Sequence, residues 1–486
     1  AHYFAEVVYY SITLAAWIEE HGLADQYVVV AAPAIWPGSH EASNLAKQNQ
    51  DWKKKAYFPT PEDISAFLEE DLEIATFDVF GPRLRRLLVE ELPVLLAKPW
   101  QQLAWHVDFR CKGCEFLGYP WKDKDGKIDN HPEQCMPTAE TSDHLSRVFG
   151  LSRGACQQLN INHIEKSASL AIIPTNSQVF NEHQGLRAKR TTFPNRALSL
   201  INNQTSIIPK SGGDALMPKW PDLHIYMFLD YDLSTAFTSS IGIRSFWKEP
   251  LPYQTNIPAN DRHEKKWTEK SGNDEVFLID TPSLERERAE FLKFLRHLKR
   301  IFNEVVTQDQ IDCQNGRRDR KTERSTYQIY IWDQSQQKHL IRLIGRHLPF
   351  ILADPDIRTL AWLFPPPELL HNAEDATHQS PMTLVANVVS NTVAMPVAHH
   401  YRLMDVAEFM KPPSLPAPRV HPLYEEPFSD LIPAERIHEW WNRIGQWDEK
   451  QTQIKKTTQK KTYALNLVIS QLEQELKQVL STQAAP

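Results

Sequence analysis

Three of the five cysteines fall in one short window, Cys111-Lys112-Gly113-Cys114 followed by His131-Pro132-Glu133-Gln134-Cys135. Two thiols with two residues between them can chelate one metal ion from a single tight turn, and Gly113 relaxes the backbone between them. His131 and Cys135, four positions apart, can supply the other two corners of a tetrahedron. The set Cys111, Cys114, His131 and Cys135 is therefore expected to bind Zn2+ as a structural ion. Two alternatives stand beside it. One is reduced cysteines with no metal. The other is an iron–sulfur cluster, which ordinarily takes four thiolates. Cys156 lies in what reads as a packed helix and Cys313 in a distant charged loop, so a cluster needs a cysteine from upstream of Ala1.

A second group is acidic. The apolar run His224-Ile225-Tyr226-Met227-Phe228-Leu229 leads into Asp230-Tyr231-Asp232. On a strand, residues two apart point to the same face, so both carboxylates can share a divalent cation. Mg2+ or Mn2+ held this way activates water and stabilises the leaving oxygen of a phosphodiester. Asp333, after Tyr327-Gln328-Ile329-Tyr330-Ile331-Trp332, is a candidate third catalytic acid, with Glu290 and Asp405 as weaker ones. The plainer reading of such an Asp-x-Asp is a strand end with solvated acids. Walker, nucleophile-elbow and zincin motifs are absent from the sequence.

The chain has room for several units. Its 486 residues suggest two to four domains, and 41% apolar with 24% charged residues is a globular composition. A net charge of −7 neither advertises nucleic-acid binding nor excludes a local basic patch. With no membrane-length apolar run and few cysteines, the expected place is the cytoplasm. The sequence has no initiator Met and opens inside a helical pattern, as a piece of a longer protein would.

Apolar spacing predicts a helix from Ala1 to Leu23, stopped at Gly22, then a buried strand over Tyr27–Ala32. Thr60-Pro61-Glu62-Asp63 opens another helix, and helical pattern continues, with breaks near Gly81 and Pro93, to about Trp105. A helix–turn–helix pattern covers Thr141–Ala171. Gln184–Lys219 reads as a linker with a mildly basic face, including Arg187, Lys189, Arg190 and Arg196. From Leu223 strands alternate with helices: strands near His224–Asp232, Phe237–Phe246, Val276–Asp280 and Tyr327–Trp332, helices over Ser283–Val306 and Gln336–Leu348. That alternation predicts an α/β or mixed sheet. Lys411–Phe428 is a Pro-rich connector, and the final helical stretch carries an apolar stripe at Tyr463, Leu465, Val468, Leu472, Leu476 and Val479.

The order of these parts resembles one family of large bacterial nuclease–helicase proteins. His2-Tyr3-Phe4-Ala5-Glu6-Val7-Val8-Tyr9-Tyr10 resembles the helix that closes a RecB-like, restriction-endonuclease-like nuclease core, with Tyr10 in the place of the motif tyrosine and Glu6 where Gln is usual. The cysteines resemble the cluster that follows such cores, and Gly150–Ala171 the helical hairpin after it. Leu223–Met410 is similar to an RNase H-like, DEDD-type exonuclease domain, with Asp230 and Asp232 at its first acidic motif and Asp333 near its second. The resemblance implies a mixed α/β chain in six parts: 1–110 the end of the nuclease core, 111–172 the metal module and hairpin, 173–222 a linker, 223–411 the RNase H-like domain, 412–432 the connector and 433–486 the C-terminal helices. It implies a metal-dependent DNA nuclease component used in DNA repair or antiviral defence, with DNA and a helicase domain or subunit as partners. It also implies an iron–sulfur alternative to zinc. The alternative function is a non-catalytic scaffold on a degenerate nuclease fold, because Asp232 stands where Glu is usual and Gln336 and Gln337 where an acid is expected.

Overall fold

The computed structural model describes residues 2–35, 51–55, 60, 72–99, 103, 105–119, 131–209, 221–250, 267–270, 274–314, 325–365 and 382–483. Of the helical stretch expected from Thr60 to about Trp105, residues 61–71 lie outside these residues. The chain divides into two compact units, Ala1–Trp105 and His106–Pro486.

In the first unit, helix α1 (His2–Glu20) ends on Gly22 at φ 65°, where the Leu23 N–H donates back to the Ile18 carbonyl at 2.9 Å. The strand expected over Tyr27–Ala32 does not form. Val28 and Val30 are exposed, and the short strand falls instead at β1 (Ala34–Ile35), paired antiparallel with β2 (Glu73–Ile74). An apolar run becomes a strand only where a neighbour supplies its hydrogen bonds. Helix α2 (Phe77–Arg86) continues through a π turn at Leu87–Glu91 into Leu92–Leu96, so Pro93 sits just past the π turn rather than at a break.

The second unit starts with a helical module: α3 (Cys135–Thr141), α4 (Arg153–Ile161), α5 (Ser167–Ala171), α6 (Gln184–Ala188) and α7 (Thr192–Asn202). Ser152 caps α4, accepting from the Ala155 N–H at 3.2 Å. Leu145, Leu159, Leu170, Phe180, Leu186 and Phe193 form its core. The stretch expected as a linker therefore contains two helices. Phe193 and Ala197 are buried with their neighbours, which the polar composition around them obscured.

A six-stranded mixed sheet organises the rest, and a mixed α/β class is what the strand–helix alternation predicts. After the short β3 (Ser206–Ile207) come β4 (Leu223–Tyr231), β5 (Thr238–Pro250), β6 (Trp267–Lys270) and β7 (Asp274–Leu278). Helix α8 (Leu284–Gln314), β8 (Tyr327–Ile331) and helix α9 (Gln334–Ala353) follow. Then come β9 (Met382–Leu384), α10 (Val385–Thr392), β10 (Val393–Ala394), α11 (Leu403–Met410), α12 (Ala434–Trp441) and α13 (Trp447–Gln483). The order β6-β5-β4-β8-β9 puts β4 at the centre, antiparallel to β5 and parallel to β8, while β7 pairs with β5.

β4 is buried along its whole length, as a central strand covered on both faces must be. Ile225, Met227 and Leu229 face α8 and α9. Tyr226 and Phe228 face the other way, into a core shared with Leu465, Val468 and Leu472 of α13. Strand parity therefore aims Asp230 at α13. The helix comes unusually close to the sheet at Gly242: a Cβ there would lie 2.8 Å from Thr458 Cγ2 and 2.9 Å from Thr462 Cγ2. Gly242→Ala is expected to lift α13 from β5 and cost about 1–3 kcal/mol in urea unfolding. A loss below about 0.5 kcal/mol would show that the approach is slack.

Candidate functional site at the acidic strand end

Asp230, the last but one residue of β4, lies opposite Ser240 of β5, where the register shifts before Tyr231. Its side chain is fully buried. Oδ1 accepts from Lys461 Nζ at 2.6 Å and from the Ile432 N–H at 3.0 Å, and Oδ2 accepts from Thr458 Oγ1 at 3.2 Å. Lys461 is itself buried and its ammonium lies 4.7 Å from the Phe228 ring centroid. Thr458 also meets Ser240 Oγ at 2.7 Å. The carboxylate that sequence places at the first acidic motif is thus engaged on both oxygens by the chain's own groups.

Asp232 lies beyond the register shift and turns into its own loop. It accepts from Ser234 Oγ and Thr235 Oγ1, both at 2.6 Å, and from the Thr235 N–H at 2.9 Å. His438 Nε2 of α12 stands 3.2 Å away. Burial alone would raise this carboxyl's pKa. The hydroxyls, the amide and the imidazole outweigh it and hold the pKa down at about 2.

Asp333 caps α9, accepting from Ser335 Oγ at 2.6 Å and from the Gln336 N–H at 3.1 Å. Gln336, where an acid was expected, is buried and its side-chain oxygen accepts from the Leu229 N–H at 3.2 Å. Register pairing between β4 and β8 reaches only Tyr226–Tyr330, so the amide of Gln336 serves a strand N–H beyond that ladder. The weaker candidates are also engaged. Glu290 pairs with Arg286 at 3.0 Å and Lys293 at 2.8 Å on α8, and Asp405 takes a two-pronged contact from Arg402 at 2.7 and 2.9 Å.

Asp430 entered through no motif, yet it belongs to this neighbourhood. It accepts from the Leu403 N–H at 2.7 Å, and burial raises its pKa to about 7, with Asp333 adding to the rise and Arg402 and Lys461 opposing it. Beneath the strand end, Glu287 of α8 is fully buried, accepting from the Thr238 N–H at 2.8 Å, Arg346 at 2.7 Å and His347 at 3.1 Å. Burial pushes this carboxyl up, but those partners overcome it and bring the pKa down to about 2. His339 meets Thr238 Oγ1 at 2.9 Å and stacks on Tyr231 at 3.8 Å. Burial lowers its pKa to about 3, so the ring is neutral.

Sequence reading missed Lys461, Thr458, Ile432 and His438. The signal for two of them was present. Stepping back from Leu472, Val468 and Leu465 at three- and four-residue intervals reaches Lys461, Thr458 and Ile454, all buried. A lysine in a core stripe asks for a carboxylate.

At the cysteine window, the Cys111–Cys114 turn is closed by a Cys114 N–H bond to the Cys111 carbonyl at 3.0 Å. It is tied to α3 through the Cys135 N–H on the Phe116 carbonyl at 2.9 Å. All three cysteines are free thiols. Burial raises the Cys135 pKa, and Cys114 and Cys111 add to it. The His131 imidazole stands 3.8 Å from the Glu133 carboxylate. Among the described residues no group of three or more His, Cys, Asp or Glu side chains is gathered as a metal shell. Cys156 is buried against His106 Nδ1 at 3.5 Å, and burial lifts its pKa to about 12. Tyr10 donates to Glu6 at 2.9 Å on the exposed face of α1. No helix of the described residues is long and apolar enough to cross a membrane.

Comparison with family models, with curated proteins and with solved structures finds no match to the chain.

Proposed function

We propose that the second unit is a degenerate RNase H-like module acting as a non-catalytic, nucleic-acid-binding or partner-recruiting scaffold within a larger DNA-processing protein. The observation that carries this reading is the Asp230–Lys461 pair. A carboxylate whose oxygens accept from a buried ammonium, a backbone amide and a hydroxyl keeps at most one of its roughly four acceptor positions, and full burial turns that one away from solvent and from Mg2+ or Mn2+. The Lys461 ammonium at 2.6 Å supplies the counter-charge that a divalent cation would otherwise give. The two other catalytic candidates support the same reading: Asp232 stabilises its loop and Asp333 caps a helix.

Kinship to the RNase H-like domain rests on the sequence resemblance, and a mixed sheet whose central strand ends in the acid supports it. DNA as the ligand, and a helicase domain as neighbour, rest on that resemblance too. Cys111, Cys114 and Cys135 are the candidate ligands for Zn2+ or an iron–sulfur cluster, with His131 as the fourth in the zinc case, on spacing alone. The test uses the full chain with single- and double-stranded DNA. Binding in EDTA and no cleavage above background with Mg2+ or Mn2+ are expected. Metal-dependent cleavage abolished by Asp230→Ala and retained by a folded Glu290→Gln control would establish the nuclease instead.

A further inference from the structure

The cysteine turn and the acidic strand end lie far apart in sequence, yet one short segment touches both. Lys112, inside the turn, makes an ion pair with Glu426. Arg402 donates to the Glu426 carbonyl at 3.0 Å and lies over the Tyr119 ring at 5.8 Å. From Glu426 the chain makes a bridge to Ser429 and anchors Asp430 on the Leu403 N–H at 2.7 Å. It then delivers the Ile432 N–H to Asp230 at 3.0 Å.

Within this segment Phe428 has φ 56°, a left-handed conformation that a bulky side chain adopts only when its surroundings impose it. Its ring is held edge-on by His399 and His400 at 6.4 and 6.2 Å. The segment is therefore fixed at both ends and strained in the middle.

We propose that Glu426–Ile432 is a strap that couples the shape of the cysteine turn to the environment of Asp230. Any ligand or modification that reshapes Cys111–Cys114 moves Lys112, and the strap passes that movement to the Ile432 amide. The coupling does not depend on catalysis at the acidic end.

The experiment is hydrogen exchange of the full chain, following the Ile432 amide, with the Ile344 amide in the middle of α9 as control. Lys112→Ala and Glu426→Gln are each expected to speed exchange at Ile432 about five-fold or more, the scale of a lost partly buried ion pair, and to leave Ile344 unchanged. The double variant is expected to exchange no faster than either single one, since both remove the same link. Unchanged exchange at Ile432, equal acceleration at Ile344, or additive effects in the double variant would each overturn the strap. Neither substitution touches a thiol, so the test does not depend on whether cysteine variants fold.

Discussion

Lys461→Ala is expected to destabilise the second unit by about 3–5 kcal/mol in urea or guanidinium unfolding, the cost of leaving a buried carboxylate without its counter-charge. Asp230 has no route to water: it is fully buried beneath α13. The same principle predicts a contrast. A buried ion pair contributes little net free energy compared with a neutral pair of equal shape, because both charges were stripped of water to form it. Asp230→Asn combined with Lys461→Met keeps an acceptor for the Ile432 N–H, turns the Thr458 contact round so that the new amide NH2 donates to a hydroxyl that can itself donate to the Ile454 carbonyl at 3.0 Å, and removes both charges. It should recover most of the loss, to within about 1 kcal/mol of the parent. If Lys461→Ala costs less than about 1 kcal/mol, the pair is not the fixed counter-charge described here, and an open carboxylate becomes the better reading.

Arg196→Ala is the second large effect. Arg196 is only 1% exposed, and its guanidinium donates to the Phe149 carbonyl at 2.5 Å and to the Ser390 carbonyl. It lies 4.6 Å from the Phe149 ring and 5.4 Å from Tyr401, two rings themselves stacked at 4.1 Å. One side chain thus bolts the helical module to α10 and to the segment before α11. Removing it leaves two carbonyls short of a donor and a void between rings, at a cost of about 3–4 kcal/mol. Lys is a poor substitute, since one ammonium cannot reproduce a planar fork that stacks and donates in two directions. Arg196→Lys is expected to recover less than half of the loss. Near-parental stability of Arg196→Ala would mean that the module is held by its apolar contacts alone.

The sheet was legible because its signal is local. The run from His224 to Asp232 is apolar on both faces, and the structure places β4 over Leu223–Tyr231. The same holds for β8, and for α8 and α9, which exceed their predicted C-terminal ends: the last turns of α8 to Gln314 are polar and carry no period, and α9 continues through Pro349 to Ala353. Tyr27–Ala32 shows the limit: β-branched composition marked a strand for which the described residues supply no neighbouring strand. The candidate site was legible in residue identity and illegible in state. Asp230 and Asp232 stand at the strand end, but what occupies them comes from Ile432, His438, Thr458 and Lys461, about 200 residues later. No local pattern around Asp230 reports a lysine that far away.

That distance also sets a clock. Asp230 and Lys461 are 231 positions apart, and a ribosome adding about 5–20 residues per second needs roughly 10 to 50 s between them. During that interval β4 has emerged while the helix that covers Tyr226, Phe228 and Asp230 has not been made. The nascent chain carries a wet carboxylate beside bare aromatic surface, held for tens of seconds in the sight of proteases and chaperones. A ribosome stalled anywhere between α9 and α13 would leave that surface open for good, which makes the late polar face of Thr457, Thr458, Lys461 and Thr462 the step that commits the sheet to its final form.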